Sequence, residues 1–246
     1  MRGKQGSHVG MILSFVIFIT FVVFLYTVVS PAVNTGESKK TILETIKIEV
    51  ERNISTDLTT AVIQIVSSKN PNQNCVKLTN LLTLLAIPPN SSGNYPLIVK
   101  NETENIQLAY TIDMIADLQI NRNNKSNRFF KIYSAPQFSG LPISTIDPCS
   151  SVTDYNVSSI TIDSYSIERK IYQFIDNYKN DYNGLKTILK VPPGSEFGFS
   201  FKQANGTIIS VGNTTGTVSV YADETPIQYV NNSANILSGF INIRVW

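Results

Sequence analysis

The sequence predicts an α+β fold: an N-terminal transmembrane helix followed by a mainly antiparallel, sandwich-like extracytoplasmic β domain carrying one packed amphipathic helix. Three observations predict it. An uncharged apolar run lies near the N-terminus, alternation of period two fills much of the remainder, and one isolated stretch near residue 175 has helical periodicity. The expected organisation is a basic leader at 1–4, an anchor helix at 5–31, a linker and short helix at 32–55, and a β-rich domain at 56–246.

Residues 5–36 contain no Lys, Arg, Asp or Glu, and residues 10–29 are apolar except for Ser14, Thr20, Tyr26 and Thr27. At about 1.5 Å per residue such a run spans about 30 Å, the hydrocarbon thickness of a bilayer. It exceeds the apolar core of about 7–15 residues usual in a cleaved signal peptide, although Val28, Val29, Ser30, Pro31 and Ala32 offer a cleavage site as the alternative. Arg2 and Lys4 precede the run, whereas Glu37 partly cancels Lys39 and Lys40 after it, so the charge bias places the N-terminus in the cytoplasm and the domain outside. Pro31 and Gly36 predict an interruption of the helix. Beyond them Ile42, Leu43, Ile46 and Val50 recur at helical spacing, with Glu44, Lys47, Glu51 and Arg52 opposite, and predict a second short helix packing the domain onto the membrane.

In the β-rich part, residues 106–120 alternate for longer than an ordinary strand, with Leu108, Tyr110, Leu118 and Ile120 on the apolar phase, and a bend or bulge is expected within them. Phe197, Phe199 and Phe201 alternate with Gly198 and Ser200 before Asn205-Gly206, the strongest hairpin signal in the chain, and residues 207–211 form the return strand. Further strands are expected at 60–67, 96–100, 127–133, 159–163, 185–191, 217–222 and 239–246, the last sewing the C-terminus into the sheet. Ile167, Ile171, Phe174, Ile175, Tyr178 and Tyr182 predict a helix of about four turns, with Ser166 as N-cap and Asn183-Gly184 as its stop.

The charged fraction is 15% and the net charge +2, so no basic stripe suited to phosphate backbones is present and nucleic acid is not an expected partner. Cys75 and Cys149 fall in the segment expected outside the membrane, where oxidising conditions favour a bridge; two buried free thiols are the alternative. Eight Asn-x-Ser/Thr triplets begin at Asn53, Asn90, Asn101, Asn124, Asn156, Asn205, Asn213 and Asn231, and mark candidate glycosylation sites on an extracytoplasmic surface.

Catalysis needs a nucleophile with a base, paired carboxylates or a metal cluster. The only histidine is His8, beside the anchor, and neither a GxSxG elbow nor a phosphate loop occurs. No catalytic, cofactor-binding or metal-binding residue is assigned, and neither an enzyme nor a cofactor is expected. Asp113 and Asp117 share the polar phase of the 106–120 run and read as a solvated strand face. The stretch from Asp176 to Gly184 has Lys179 and Lys190 where a calcium loop needs its first and last carboxylates, and reads as a helix end followed by a turn. The aromatic residues read mainly as core, with Tyr178, Tyr182 and Tyr229 the ones to examine for exposure.

The N-terminus reads Met1-Arg2-Gly3-Lys4, then Gln5-Gly6-Ser7-His8-Val9-Gly10-Met11-Ile12-Leu13. Gln5, Ser7 and Leu13 with the apolar helix resemble the class III signal of archaeal type IV pilins. The resemblance implies cleavage between Lys4 and Gln5 on the cytoplasmic side, with the helix retained as anchor and assembly stem beneath an outward-facing, often glycosylated β domain. Val9 stands where most of that family has the Glu linked to docking neighbouring subunits, which directs the reading to a minor pilin or pseudopilin. The expected role is structural, in assembly or in adhesion, with membrane lipid and other pilin-like subunits, or copies of itself, as partners. A monomeric anchored binding module for a surface polymer or partner protein is the alternative.

Overall fold

The structure is a computed structural model describing residues 6–66, 74–90, 93–104, 106–112, 117–122, 124–138, 149–212 and 219–246, with side chains at 6–9 and 28–38 left undescribed. A helix, α1, runs from Gly6 to Ile54, and strand β1 (Ser55–Ile65) follows with no loop between them. The interruption expected at Pro31 and Gly36 does not occur. Proline inside a helix removes one hydrogen bond and costs about 3 kcal/mol. The flanks outweigh that cost: an apolar run precedes it, and the helical stripe after it is buried in the domain.

Next come β2 (Cys75–Leu78), the short α2 (Leu81–Leu84) and β3 (Leu97–Asn101). The long alternating run then divides into β4 (Gln107–Leu108), β5 (Tyr110–Ile112) and β6 (Leu118–Asn121). The bend expected there is sharper than a bulge, because β5 and β6 fold back on each other with Tyr110 opposite Ile120 and Ile112 opposite Leu118. Strands β7 (Phe129–Ser134), β8 (Ser150–Val152) and β9 (Tyr155–Ile167) precede helices α3 (Glu168–Asn180) and α4 (Tyr182–Ile188). The chain ends with β10 (Phe197–Lys202), β11 (Ile208–Val211), β12 (Tyr221–Val230) and β13 (Ile236–Val245).

A curled nine-stranded sheet has the order β11-β10-β13-β12-β9-β1-β7-β3-β4, and a four-stranded sheet the order β5-β6-β2-β8. Pairing is antiparallel except between β12 and β9 and between β2 and β8. The architecture is therefore α+β and mainly antiparallel. The predicted hairpin forms between β10 and β11 and closes through a five-residue loop in which Gly206, at φ 84°, takes the left-handed turn. The C-terminal strand lies inside the sheet, between β10 and β12.

Three expectations around residue 180 are corrected. Ser166 does not cap α3; it pairs with Tyr229 in the sheet, and Ile167 occupies the cap position without a side-chain bond. Asn183-Gly184 does not end the helical region, because the Asp181 carboxylate accepts a hydrogen bond from the Gly184 amide at 3.0 Å and starts α4. The strand expected at 185–191 is replaced by that helix, whose Leu185 and C-cap Leu189 turn into the core four residues apart.

Apolar residues of both sheets meet in one core, where Ala61, Ile63, Phe130 and Ile132 face Val76, Leu78, Leu118 and Ile120. A second core lies under the helices and is built by α1, α3 and α4 on β10 and β13. Cys75 and Cys149 form a disulfide with Cα atoms 4.6 Å apart, joining residues 74 positions apart where β2 runs beside the start of β8. Asp117 also ties the small sheet together. Instead of lying on a solvated face it is 1% exposed, accepting from the Asn80 amide at 2.7 Å and pairing with Lys77 at 3.1 Å. Asp113 lies outside the described residues.

Replacing both cysteines by serine frees a 74-residue loop in the unfolded chain. Loop-closure entropy predicts a loss of about 4 kcal/mol, read as a lower urea midpoint for the double variant than for the oxidised chain.

Candidate functional site: a helix half inside and half outside the domain

The two ends of α1 have opposite environments. From Gly10 to Thr27 its mean hydropathy is 2.4 and none of it is buried, so an apolar cylinder of large side chains, including Phe15, Phe18, Phe21 and Phe24, projects into open space. This single N-terminal helix is long and apolar enough to cross a membrane or to act as a signal sequence. Thr20 and Thr27 return their hydroxyls to backbone carbonyls of the same helix, so these polar groups do not need water.

From Leu43 onward the same helix is part of the domain core. Leu43, Ile46, Val50 and Ile54 are buried, the last three completely, against Phe174 of α3 and the phenylalanine row of β10. Burying each such side chain contributes about 1.5–3 kcal/mol. Charged contacts pin the flanks: Lys47 donates to Asp223 of β12 at 2.7 Å, and Lys190 donates to Glu49 at 2.6 Å beside Arg52. The bond to Asp223 raises the Lys47 pKa and lowers that of Asp223, and Lys190 lowers that of Glu49.

The aromatic residues singled out in the sequence pack rather than protrude. Tyr229 is 2% exposed; Tyr178 and Tyr182 are half-buried against Phe197, and both hydroxyls bond inward, Tyr178 to the Phe197 carbonyl and Tyr182 to Glu196. Lys186 bonds the other Glu196 oxygen at 2.9 Å, completing a clamp between α4 and β10. Lys100, missed in the sequence reading, is enclosed under the β12–β13 turn, donating to the Ala234 carbonyl and the Asn235 side chain over the Tyr133 ring. Its signal was invisible because its partners lie more than 130 positions away. No group of three His, Cys, Asp or Glu side chains suited to a metal lies among the described residues.

A cleft of about 380 Å³ is lined by Gln137, Phe138, Arg169, Tyr172 and Asn232. Both polar atoms of the Gln137 amide are buried without a hydrogen-bond partner among the described residues. Among the triplet asparagines, Asn53, Asn90, Asn124, Asn156 and Asn205 are exposed, and Asn231 is half-buried in a turn. Asn101 is 7% exposed, with its amide engaged by the Ile106 backbone and the Thr103 hydroxyl. Asn213, Lys4 and Gln5 lie outside the described residues, as does the side chain of His8.

Ile46→Ala is expected to cost about 2–5 kcal/mol of domain stability. Ile48→Ala, at a position 55% exposed on the same helix, changes it by less than about 0.5 kcal/mol. Urea unfolding of the detergent-solubilised chain separates the two. The ion pairs add a pH dependence with a defined sign. The lowered carboxylates of Asp223 and Glu49 stabilise the fold above about pH 4 and lose that effect as pH falls through their folded pKa values; the raised Lys47 loses its contribution as pH rises beyond about 10.4. Between pH 7 and pH 3 the melting temperature of a Lys47→Met, Lys190→Met variant therefore falls less than that of the parent. Compared with protein-family models, curated proteins and solved structures, the chain matches none.

Proposed function

We propose that this chain is a membrane-anchored surface protein of pilin-like build, a minor pilin or pseudopilin, with a structural, assembly or adhesion role and no catalytic activity. The observation that carries the reading is the single continuous α1, uncovered along its apolar first half and built into the domain core along its second. A helix of 49 residues is about 74 Å long, more than twice a bilayer's hydrocarbon thickness. Such a rod carries its domain at a fixed distance from the membrane, and its exposed stripe suits lateral packing against other stems. In this reading Lys4-Gln5 is the processing site, Arg2 and Lys4 hold the N-terminus in the cytoplasm, and the exposed sequons carry glycans on the outer domain. Val9 supplies no carboxylate for docking a neighbour, which favours an accessory subunit over the main filament component.

The second reading, an anchored binding module for a surface polymer or partner protein, draws on the cleft at Gln137, Arg169 and Tyr172, where a guanidinium, an aromatic ring and an amide unpaired among the described residues converge.

Intact mass and N-terminal sequence of the deglycosylated protein from its native membrane test the leading proposal. A chain beginning at Gln5 is expected. A chain beginning at Met1 sinks class III processing and leaves the anchored binding module.

A further inference from the structure

Strand edges expose unpaired N–H and C=O groups, and folded proteins shorten, charge, kink or cover them. The described strands follow this rule with one exception. The terminal strands β11 and β4 have four and two residues, β5 and β8 three each, and the long β12 carries Pro226 and Glu224 on its way to the fork with β9. Strand β9 has 13 residues. One side of it pairs with β1 from Tyr155 opposite Ile65 to Ser166 opposite Ser55, with a β-bulge at Ser158, where Val62 faces Ser159 and Ile63 faces Val157. On the other side β12 touches it only at Ser166 and Ile167 and then diverges, leaving a cleft lined by Ser164, Tyr165, Pro226 and Gln228. Residues 158–164 are exposed on both faces, and no described strand takes up their outer edge.

Beyond the bulge at Ser158, the stretch from Ser159 to Ser164 carries few of the usual defences. Between Tyr155 and Ile167 there is no Lys, Arg or Pro, and Asp163 is the only charge. Ile160 and Ile162 stand side by side on one face, 48% and 66% exposed. The segment Ser158-Ser159-Ile160-Thr161-Ile162-Asp163-Ser164 has the composition of an interior strand placed at a rim.

We propose that this edge pairs antiparallel with the same edge of a second copy of the chain, extending the nine-stranded sheet across a two-fold axis at Thr161. The sequence is self-complementary in that register. Directly opposite residues in an antiparallel pair share a face, so a two-fold axis through one residue preserves the faces, and the choice is among axes at 160, 161, 162 or 163. An axis at Thr161 sets each Ile160 against the partner's Ile162 and joins four exposed isoleucines into one apolar cluster. It places Asp163 opposite Ser159, where a hydroxyl can donate to the carboxylate. An axis at Ile160 sets Ile162 against the bulged Ser158, one at Ile162 leaves Ile160 against Ser164, and one at Asp163 opposes two like charges, which is destabilising. The bulge at Ser158 limits regular pairing to residues 159–163, because the two-fold sets Ser158 opposite Ser164, and Ser166 beyond them is already held by β12. The contact is an isologous β-augmentation, with main-chain hydrogen bonds for affinity and the isoleucine cluster for register. It uses the domain alone and is independent of what α1 does.

Sedimentation of the full-length chain in detergent tests it together with two cysteine variants. The expected protein mass is twice 27.3 kDa, falling to a single chain in Ile160→Lys, Ile162→Lys, with the melting temperature retained because both side chains are exposed. Thr161→Cys is expected to form a covalent dimer on mild oxidation, since directly opposite Cα atoms lie about 4.5–5.5 Å apart, within disulfide reach. Ser158→Cys is not, because six positions of offset separate it from its copy by about 20 Å. A chain that stays monomeric, a dimer that survives the double lysine variant and so runs through α1 or another face, or crosslinking through Ser158→Cys in preference to Thr161→Cys each overturns the proposal.

Discussion

The fold depends on one stripe of one helix. Leu43, Ile46, Val50 and Ile54 project from α1 into a core that the row Phe197, Phe199 and Phe201 lines from below and Ile171, Phe174 and Leu185 close from the sides. Fixing this stripe fixes much else, since β1 follows Ile54 directly and so inherits its position, and β1 is the strand that joins β7 on one side to β9 on the other. The helix is thus both a projecting rod and the foundation of the sheet. Because rod and foundation are one covalent helix, a load on the exposed half reaches the centre of the domain without crossing a flexible joint.

Around that foundation the domain is held by contacts that bridge distant parts of the chain. The disulfide joins β2 to the start of β8, and Asp117 joins the β5–β6 fold to Lys77 and the turn at Asn80. Lys100 closes the β12–β13 turn over β3. A buried charge is tolerated only with partners that replace its water, and each of these residues has them. Burial nevertheless disfavours the charged form of Lys100, whose pKa is lowered, and raises that of Tyr110 to about 12 while its hydroxyl holds the Leu97 carbonyl. These groups act as locks on register and on the relative placement of the two sheets.

The surface is divided unevenly. Most strand ends are short or carry charge and proline, whereas the apolar half of α1 and the outer edge of β9 expose what a folded chain in water usually hides. The two features lie on separate elements and involve different interactions: side-chain packing along a helix in one case, main-chain hydrogen bonding along a strand in the other.

Much of this was legible from the residues. Apolar content and the absence of charge over residues 5–36 announced the exposed helix; period-two alternation located the hairpin at Asn205-Gly206, the phenylalanine row and the inserted C-terminal strand; helical spacing located α3 and the buried stripe of α1. These are local patterns, set by the periods at which side chains repeat on helices and strands. What escaped was set by partners remote in sequence. The continuity of α1 through Pro31 and Gly36, the helix at Tyr182–Ile188 in place of a strand, the inward turn of Asp117 and the enclosure of Lys100 all depend on which surfaces meet after folding. The open side of β9 belongs to the same class: the sequence marked a strand there, but only the divergence of β12 left its outer backbone groups without a neighbouring strand among the described residues, because pairing is a property of two strands rather than one.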